Sequence, residues 1–207
     1  MVAPEPAQPP ALPVAGPEAR QRIQDIAAAL FLENGYAGTS LREIANAVGM
    51  KTGSLYYHFA SKEALLEAIL RRGIEVMVTA FDEASRTTRG ADARVRFAAH
   101  VRAHLSALFE HGPYTAAHVT TFRTAPESVC QAIVPQRDSY EAMWSALLEE
   151  LRASGDLASD APVGLSRLML FGAMNSSVEW FDPERGSLDA FANTIAHQFW
   201  NGLRGAT

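Results

Sequence analysis

Residues 39–62, TSLREIANAVGMKTGSLYYHFASK, constrain the fold of this chain more than any other segment. Ser40 and Glu43 stand three residues apart at the start of an apolar repeat, which matches a capping box at a helix N-terminus. Gly49 follows that repeat, where a residue with positive φ commonly ends a helix. The pattern predicts a short helix, a tight turn and a second short helix from residue 51 or 52 to residue 59.

The predicted second helix carries few apolar residues. Only Leu55 and Phe59 are clear inward anchors, so the remaining side chains face outward. The second helix of a helix-turn-helix enters the major groove of DNA, where hydroxyls such as those of Thr52 and Ser54 can bond base edges or phosphates. Gly53 allows close approach of the backbone. This face predicts a DNA-reading surface.

A Tyr-Tyr-His run ends this helix, and a lysine begins the next one. The rings of Tyr56 and Tyr57 offer flat contact area, although Tyr56 also suits a packing role and His58 a capping or surface role. Ser61 is a predicted N-cap, which places Lys62 in the first helical turn. A lysine at that end opposes the helix dipole unless a phosphate lies against it.

The segment 23–66 resembles the DNA-binding domain of TetR-family transcriptional regulators. The runs that carry the resemblance are FLENGY at 31–36, TSL at 39–41, IA at 44–45, GSLYYHF at 53–59 and SKE at 61–63. The resemblance implies an all-α homodimer of about nine helices, with an N-terminal three-helix helix-turn-helix DNA-binding domain and a larger C-terminal helical domain for effector binding and dimerisation. With Gly53 added from the local argument, the candidate DNA-binding residues are Thr39, Arg42, Lys51, Thr52, Gly53, Ser54, Tyr56, Tyr57, His58 and Lys62.

Composition divides the chain into three predicted parts: a disordered Pro-rich tail at 1–17, a DNA-binding domain at 18–64 and an effector-binding and dimerisation domain at 65–207. The tail holds six of the eleven prolines, no Lys or Arg, and no apolar stretch like that of a signal peptide. No membrane span is predicted, and a hydrophobic content of 48% gives ample core. The single cysteine, Cys130, excludes an internal disulfide and favours a cytoplasmic protein with a packed thiol, with redox sensing as the alternative.

The net charge of −5 is unevenly distributed along the chain. The first 72 residues hold seven basic and seven acidic residues, so all of the excess acid lies beyond them. The acidic part would be held away from the phosphates. A neutral DNA-binding domain predicts modest affinity per subunit, so useful operator affinity requires two linked subunits on two half-sites.

Helical periodicity continues on both sides of the motif. Apolar spacing over 23–31 predicts a first helix that ends at residues 34–35, and the stripe over 66–81 predicts a long helix connecting the two domains. Gly and Pro breaks predict further helices near 92–110, 114–124, 127–153, 162–181 and 187–204, without strands. A small pivot of the connecting helix would change the spacing of the two recognition helices.

The last two predicted helices carry apolar rows that suit a dimer interface. Two such helices from each subunit would form a hydrophobic four-helix interface. The alternative is that both rows face the core of their own subunit. The candidate interface residues are Leu165, Leu168, Met169, Gly172, Leu188, Phe191, Ile195 and Phe199.

Aromatic, methionine and histidine residues in the middle helices are the candidate lining of an effector pocket, although most are needed for packing. His100 and His104 have the i, i+4 spacing of a zinc pair, yet no HExxH pattern accompanies them, so no metal is predicted. The candidate effector-binding residues are Met77, Phe81, Phe97, His100, His104, Phe122, Met143, Trp144, Met174, Asn175 and Trp180.

A second resemblance concerns the run FGAMNSSVEWFDPERG at 171–186. It is similar to a segment in TetR-like regulators of fatty-acid and steroid degradation, several of which respond to acyl-CoA thioesters. It implies an acyl-CoA effector, with a small hydrophobic drug or metabolite as the alternative. A CoA ligand is favoured if arginines gather at the pocket mouth, the candidates being Arg96, Arg102, Arg123 and Arg137.

Catalysis is not predicted, because the chain contains neither GxSxG nor GxxxxGK[ST] and its carboxylates fall mostly on exposed helical faces. No cofactor is predicted. The sequence favours a ligand-released homodimeric repressor that binds double-stranded operator DNA and a small-molecule effector. The alternative is a small-molecule-binding helical protein with no role on DNA.

Overall fold

A computed structural model describes residues 16–204, and the all-α prediction is confirmed across that range, which contains nine α-helices and no strand. Residues 1–15 of the predicted tail lie outside the described residues. The helices are α1 (Pro17–Gly38), α2 (Leu41–Val48), α3 (Thr52–His58), α4 (Lys62–Thr87), α5 (Ala93–Phe109), α6 (Pro113–Thr121), α7 (Glu127–Ala153), α8 (Val163–Asn175) and α9 (Leu188–Leu203).

The helix-turn-helix has the termini that its sequence predicts. The Ser40 hydroxyl accepts a hydrogen bond from the Glu43 amide, and the Glu43 carboxylate accepts one from the Ser40 amide at 2.7 Å. Gly49 ends α2 with φ of 82°, in the left-handed region. Ser61 caps α4 by accepting from the Ala64 amide at 3.1 Å. These contacts fix the lengths of the helices around the turn.

The predicted end of the first helix at residues 34–35 corresponds to a kink inside α1. Gly35 has φ of 73° and ψ of 161°, and a last helical turn follows it up to Gly38. The buried side chains of Ile23 and Phe31 on α1 pack with Ile44 of α2 in one hydrophobic core. This core holds α2 of the helix-turn-helix in a fixed position against α1.

Helix α4 runs through the molecule and across the predicted domain boundary at residue 64, which stays a prediction. At Gly73 the helix meets α6 closely: a Cβ there would lie 2.7 Å from the Tyr114 carbonyl oxygen. The Tyr114 hydroxyl donates to Asp25 Oδ1 of α1 at 2.5 Å and accepts from Gln21 Nε2 at 2.6 Å. Helix α6 is therefore fastened to both α1 and α4.

Two predicted helices are shorter than expected. The predicted helix 114–124 ends at Thr121 and continues as a 3-10 turn, Phe122–Thr124. The predicted helix 162–181 ends at Asn175 and gives way to a 3-10 turn, Ser176–Glu179. There the Ser177 hydroxyl donates to the Met174 carbonyl at 2.5 Å and tightens the backbone. The predictions for 92–110, 127–153 and 187–204 agree with α5, α7 and α9 within one residue at each end.

Across residues 16–204, the structure contains no helix with the length and apolar character required to span a lipid bilayer.

Candidate DNA-binding surface and ligand cavity

The outward face of α3 is open and aromatic. Leu55 and Phe59 are buried as predicted, and they hold the short helix against the core. Tyr57 is 78% exposed and Tyr56 is 53% exposed, so about half of the Tyr56 side chain remains available despite its partial packing. Large exposed aromatic side chains on a seven-residue helix have no internal packing role that would require them there.

Backbone and cation contacts hold the C-terminal end of α3. The Arg20 guanidinium donates to the His58 carbonyl oxygen at 2.5 Å and lies 4.0 Å from the centre of the Phe59 ring. The Lys62 ammonium lies 4.1 Å from the Tyr36 ring. Partial burial lowers the pKa of Lys62, with Glu63 and Glu43 acting in the opposite direction. Cation–π contacts therefore hold Arg20 at the end of α3 and Lys62 at the start of α4.

The other predicted DNA-binding residues differ in exposure. Arg42, Lys51 and Gly53 are exposed, whereas Thr52, Ser54, His58 and Lys62 are half-buried. Thr39 differs, because its side chain is buried and its hydroxyl donates to the carbonyl oxygens of Gly35 at 2.9 Å and Leu30 at 3.2 Å. The Thr39 side chain therefore ties the end of α1 to the start of α2 and does not point outward.

A cavity of about 370 Å³ lies in the C-terminal part, between α4, α6, α7 and α8. Three of the predicted effector residues line it, namely Met77, Phe122 and Asn175. Other walls come from residues outside the predicted set, which are Ile74, His118, Val119, Thr120, Arg123, Arg137, Tyr140, Glu141, Phe171, Gly172, Ser176 and Glu179.

Several predicted effector residues lie outside this cavity. Phe81 and Met143 border a separate surface groove, and Phe97 packs on Trp200 at a ring separation of 5.8 Å. Trp144 and Met174 are buried core residues, and Trp180 is exposed. These residues were predicted from their aromatic, methionine or histidine side chains, and residue type does not reveal which helix faces enclose a cavity.

The two histidines with zinc-pair spacing have separate hydrogen-bond partners. His100 bonds the Ser85 hydroxyl at 2.8 Å and the Arg96 carbonyl at 2.7 Å. His104 lies behind the cavity wall and bonds Tyr140 and Asn175, which both line the cavity. Residues 16–204 contain no group of three or more His, Cys, Asp or Glu side chains placed to hold a metal ion.

Tyr140 is the main cavity residue that sequence reasoning missed. It precedes Trp144 by one helical turn on α7, so the two side chains lie on the same face of the helix. Their rings both face Phe81, at 6.3 Å for Tyr140 and 5.5 Å for Trp144. An aromatic residue four positions before Trp144 is the sequence signal that indicates it.

Two histidines at the cavity, His104 behind its wall and His118 in its lining, are held uncharged. Burial lowers the pKa of His104 to about 4, although the hydrogen bond to Asn175 acts in the opposite direction. Burial, together with the charge of Arg137, lowers the pKa of His118 to about 3. The Nδ1 atom of His118 is buried without a hydrogen-bond partner within residues 16–204.

Charged side chains also belong to the cavity lining. Arg137 lies 4.2 Å from the Phe122 ring centre and donates to Glu141 at 3.2 Å. Glu141 also pairs with Arg167. Arg123 is exposed at the rim, and no ion pair involves it in the part of the chain that the structure describes.

Two of the four arginines considered for the mouth are elsewhere. Arg96 pairs with Glu150 at 2.8 Å, and Arg102 pairs with Glu110 at 3.1 Å and with Asp189. Only Arg123 and Arg137 of the four line the cavity.

The predicted dimer residues divide into two groups. On α8, Leu165, Leu168 and Met169 are 58 to 59% exposed, and Gly172 is exposed beside them. On α9, Leu188 and Ile195 are buried within the chain, and Phe191 and Phe199 are half-buried. The α8 row is an apolar surface that nothing in the described chain covers, whereas much of the α9 row contributes to the subunit core.

Comparison with known proteins gives matches along most of the chain. Residues 23–69 match the family model described as "Bacterial regulatory proteins, tetR family", and residues 90–204 match "Tetracyclin repressor-like, C-terminal domain". The chain is 30% identical over 200 residues to the HTH-type transcriptional repressor KstR2 of Rhodococcus jostii, covering 92% of each protein.

Solved structures share the fold. The ketosteroid transcriptional regulator KstR2 of Mycobacterium tuberculosis superposes with a TM-score of 0.77 at 24% identity, covering 93% of this chain and 98% of that chain. AibR, in complex with isovaleryl coenzyme A and operator DNA, gives a TM-score of 0.74 at 24% identity, covering 90% and 98%.

Proposed function

Because the chain belongs to the TetR family of DNA-binding transcriptional regulators, we propose that it is a homodimeric repressor released from its operator by a small-molecule effector. Its relatives and its fold are those of regulators and not of enzymes. A repressor is proposed, in preference to an activator, because the Rhodococcus relative is a repressor. A cytoplasmic location is part of the proposal, since the partner is DNA.

The observation that carries the DNA-binding role is the exposed face of α3. Tyr56 and Tyr57 stand clear of the core on a helix whose only fully buried side chain is Leu55. Arg42 of α2 and Lys51 at the N-cap of α3 are exposed basic residues, and neither is in an ion pair within residues 16–204. We assign base contacts to Thr52, Ser54 and the two tyrosines. We assign phosphate contacts to the basic residues Arg42, Lys51 and Lys62.

The dimer is proposed to form through the uncovered row of α8, with the half-buried Phe191 and Phe199 of α9 at its edge. Three large apolar side chains more than half exposed on one helix face form a patch of the kind that marks a protein interface. Two recognition helices linked in this way would gain affinity from binding two half-sites at once.

The effector is proposed to bind in the cavity between α4, α6, α7 and α8. Its apolar side chains, together with Arg123 and Arg137 in the lining, suit a ligand with a hydrophobic part and an anionic end, such as an acyl-CoA thioester. AibR, which has the same fold, is described with isovaleryl coenzyme A. An uncharged hydrophobic metabolite remains the second candidate, because Glu141 and Glu179 also line the mouth.

Release is proposed to pass through α6 and α4. His118 and Val119 of α6 line the cavity, and Tyr114 at the other end of the same helix bonds Asp25 and Gln21 of α1. A ligand that moves α6 would therefore shift the DNA-binding end. Coupling of about 1–3 kcal/mol would change operator affinity by about 5- to 150-fold.

The experiment is selection of bound sequences from a random-sequence duplex library by the full chain, followed by sequencing. A homodimeric regulator should enrich an inverted repeat with half-sites separated by about one helical turn or a little more. The Tyr57→Ala variant should enrich it poorly. Recovery of unrelated sequences by the wild-type protein would favour the alternative, a small-molecule-binding helical protein without a role on DNA.

A further inference from the structure

The deep wall of the cavity contains a hydrogen-bond chain whose direction can be assigned. His104 Nε2 lies 2.9 Å from Asn175 Oδ1, and His104 Nδ1 lies 2.8 Å from the Tyr140 hydroxyl. An amide oxygen only accepts hydrogen bonds, so Nε2 carries the ring proton. Burial keeps the ring neutral by lowering the pKa of His104 to about 4. Nδ1 is then an acceptor, and Tyr140 must donate its proton to it.

This chain of hydrogen bonds determines which donors and acceptors Asn175 and Tyr140 offer to a ligand. The Asn175 NH₂ group lies on the opposite side of the planar amide from Oδ1, so it is turned away from His104. The hydrogen bond to His104 is the one that its side chain makes within residues 16–204, which leaves the NH₂ donors for the cavity. The Tyr140 proton is committed to His104, so only its oxygen lone pairs are available.

The same part of the cavity disfavours a charged ligand group. His104 and His118 are neutral there, and the Arg137 guanidinium is engaged by Glu141 and the Phe122 ring. Arg123, the other cation of the lining, lies at the exposed rim. A carboxylate in the deep part would lose its hydration without gaining a free cation, whereas a neutral oxygen would meet a donor.

We propose that Asn175 binds a carbonyl oxygen on the buried part of the effector and that His104 is the positioning residue that holds the amide in this orientation. The ligand is then an apolar skeleton bearing a neutral carbonyl, supplied either by an acyl thioester or by a ring ketone. This inference rests on the proposed function, because it takes the cavity as the effector site.

Two matched pairs of probes test the proposal and separate the two sources of the carbonyl. Octanoyl-CoA and S-octyl-CoA differ only by the thioester carbonyl oxygen, and 1-indanone and indane differ only by the ketone. Titration calorimetry for the first pair and ligand-observed NMR for the second give the dissociation constants with the full-length protein. The wild-type protein should bind the carbonyl member of one pair about five- to tenfold more tightly, the worth of one buried hydrogen bond.

The Asn175→Leu variant should lose that preference and keep the affinity for the member without a carbonyl. Asn193→Leu, the same substitution at an exposed position of α9, is the matched control and should keep the preference. If Asn175→Leu alone fails to fold because it strands the His104 N–H, the double variant His104→Phe/Asn175→Leu removes both partners and should show the same loss.

His104→Phe alone tests the positioning role. Without the imidazole the Asn175 amide is free to rotate, so the ratio of the two dissociation constants should fall toward one while S-octyl-CoA binding persists. A merely structural role for His104 would weaken both members of a pair equally. Equal affinity within both pairs in the wild-type protein, or no binding of any probe, would overturn the proposal. Selection of an operator by the same preparation shows separately whether the DNA-binding function stands.

Discussion

The basic side chains in the two parts of this molecule differ in their partners. From Arg71 onward, eight arginines form ion pairs with carboxylates of the same chain. Around the helix-turn-helix, no Lys or Arg of residues 16–62 is in an ion pair with a described carboxylate. Arg20 and Lys62 instead lie over aromatic rings, and Arg42 and Lys51 point into solvent.

This difference explains how a chain with net charge −5 can bind a polyanion. Of the 16 acidic residues beyond position 72, seven form ion pairs with arginines, which reduces the field that the acidic part exerts at the helix-turn-helix. The cations near α3 remain available for phosphates. Where DNA can bind depends on which basic side chains are locally unpaired, and not on the net charge of the chain.

The largest expected effect comes from breaking the proposed link between the two subunits. Leu168→Glu places a charge in the uncovered α8 row and should yield monomers. Loss of the second half-site contact should lower operator affinity by about 10²- to 10⁴-fold. Analytical ultracentrifugation and fluorescence anisotropy measure both quantities. Val95→Glu, at an exposed apolar position of α5, is the control and should stay dimeric; a dimeric Leu168→Glu protein would refute the interface.

Low pH should lower the stability of the C-terminal half, because buried histidines there are neutral in the folded state. His104 and His118 have folded pKa values of about 4 and 3, below the value near 6.5 of an unfolded histidine. The unfolded chain therefore binds more protons below pH 6.5, and the free energy of unfolding falls as the pH drops from there toward 4. Each histidine contributes a slope of up to about 1.4 kcal/mol per pH unit.

Urea unfolding at a series of pH values, followed by far-UV circular dichroism, measures that slope. The His118→Phe variant removes one of these titrating groups and should reduce the slope. A wild-type stability that is constant between pH 7 and pH 5 would show that these rings are not held neutral.

Tyr57→Ala should weaken operator binding by about 1–3 kcal/mol, because the ring has no partner in the core and its contact area would be made with DNA. Thermal stability should stay unchanged, since the side chain is exposed. Anisotropy on the selected operator and on random duplex gives the two affinities. Equal loss on both duplexes would mean that Tyr57 does not contribute to sequence recognition.

The smallest expected effect distinguishes a cation that can contact phosphate from a cation that is paired with a carboxylate of the same chain. Lys51→Ala should reduce the slope of log affinity against log salt by about 0.9, the loss of one phosphate contact. Arg71→Ala should leave the slope unchanged, because Arg71 pairs with Glu67 at 2.7 Å. Titrations at four or more salt concentrations resolve the difference. An equal change in both variants would contradict the distinction drawn between the two ends.

The helix-turn-helix could be predicted from sequence because its signals are local. Ser40, Glu43, Gly49 and Ser61 act on neighbours within a few residues, so caps and turns follow from spacing alone. The inward position of Thr39 was missed, since its partners Leu30 and Gly35 depend on how α1 ends.

The cavity could not be predicted in the same way because four helices enclose it. Helical spacing marks Trp144 and Phe97 as apolar-face candidates as strongly as Met77, yet only Met77 borders the space. Which apolar face becomes core and which lines a cavity depends on helix crossings such as the close approach at Gly73.

The most direct test of the whole account is fluorescence anisotropy of the purified protein on DNA from upstream of its own gene, at fixed salt, with and without octanoyl-CoA and 1-indanone. The account predicts binding well above that of random DNA and at least a fivefold loss of affinity with one of the two carbonyl compounds. Binding no tighter than to random DNA, on this fragment and on the selected operator, would contradict the regulator function. Tight binding unaffected by either compound would contradict the proposed effector cavity.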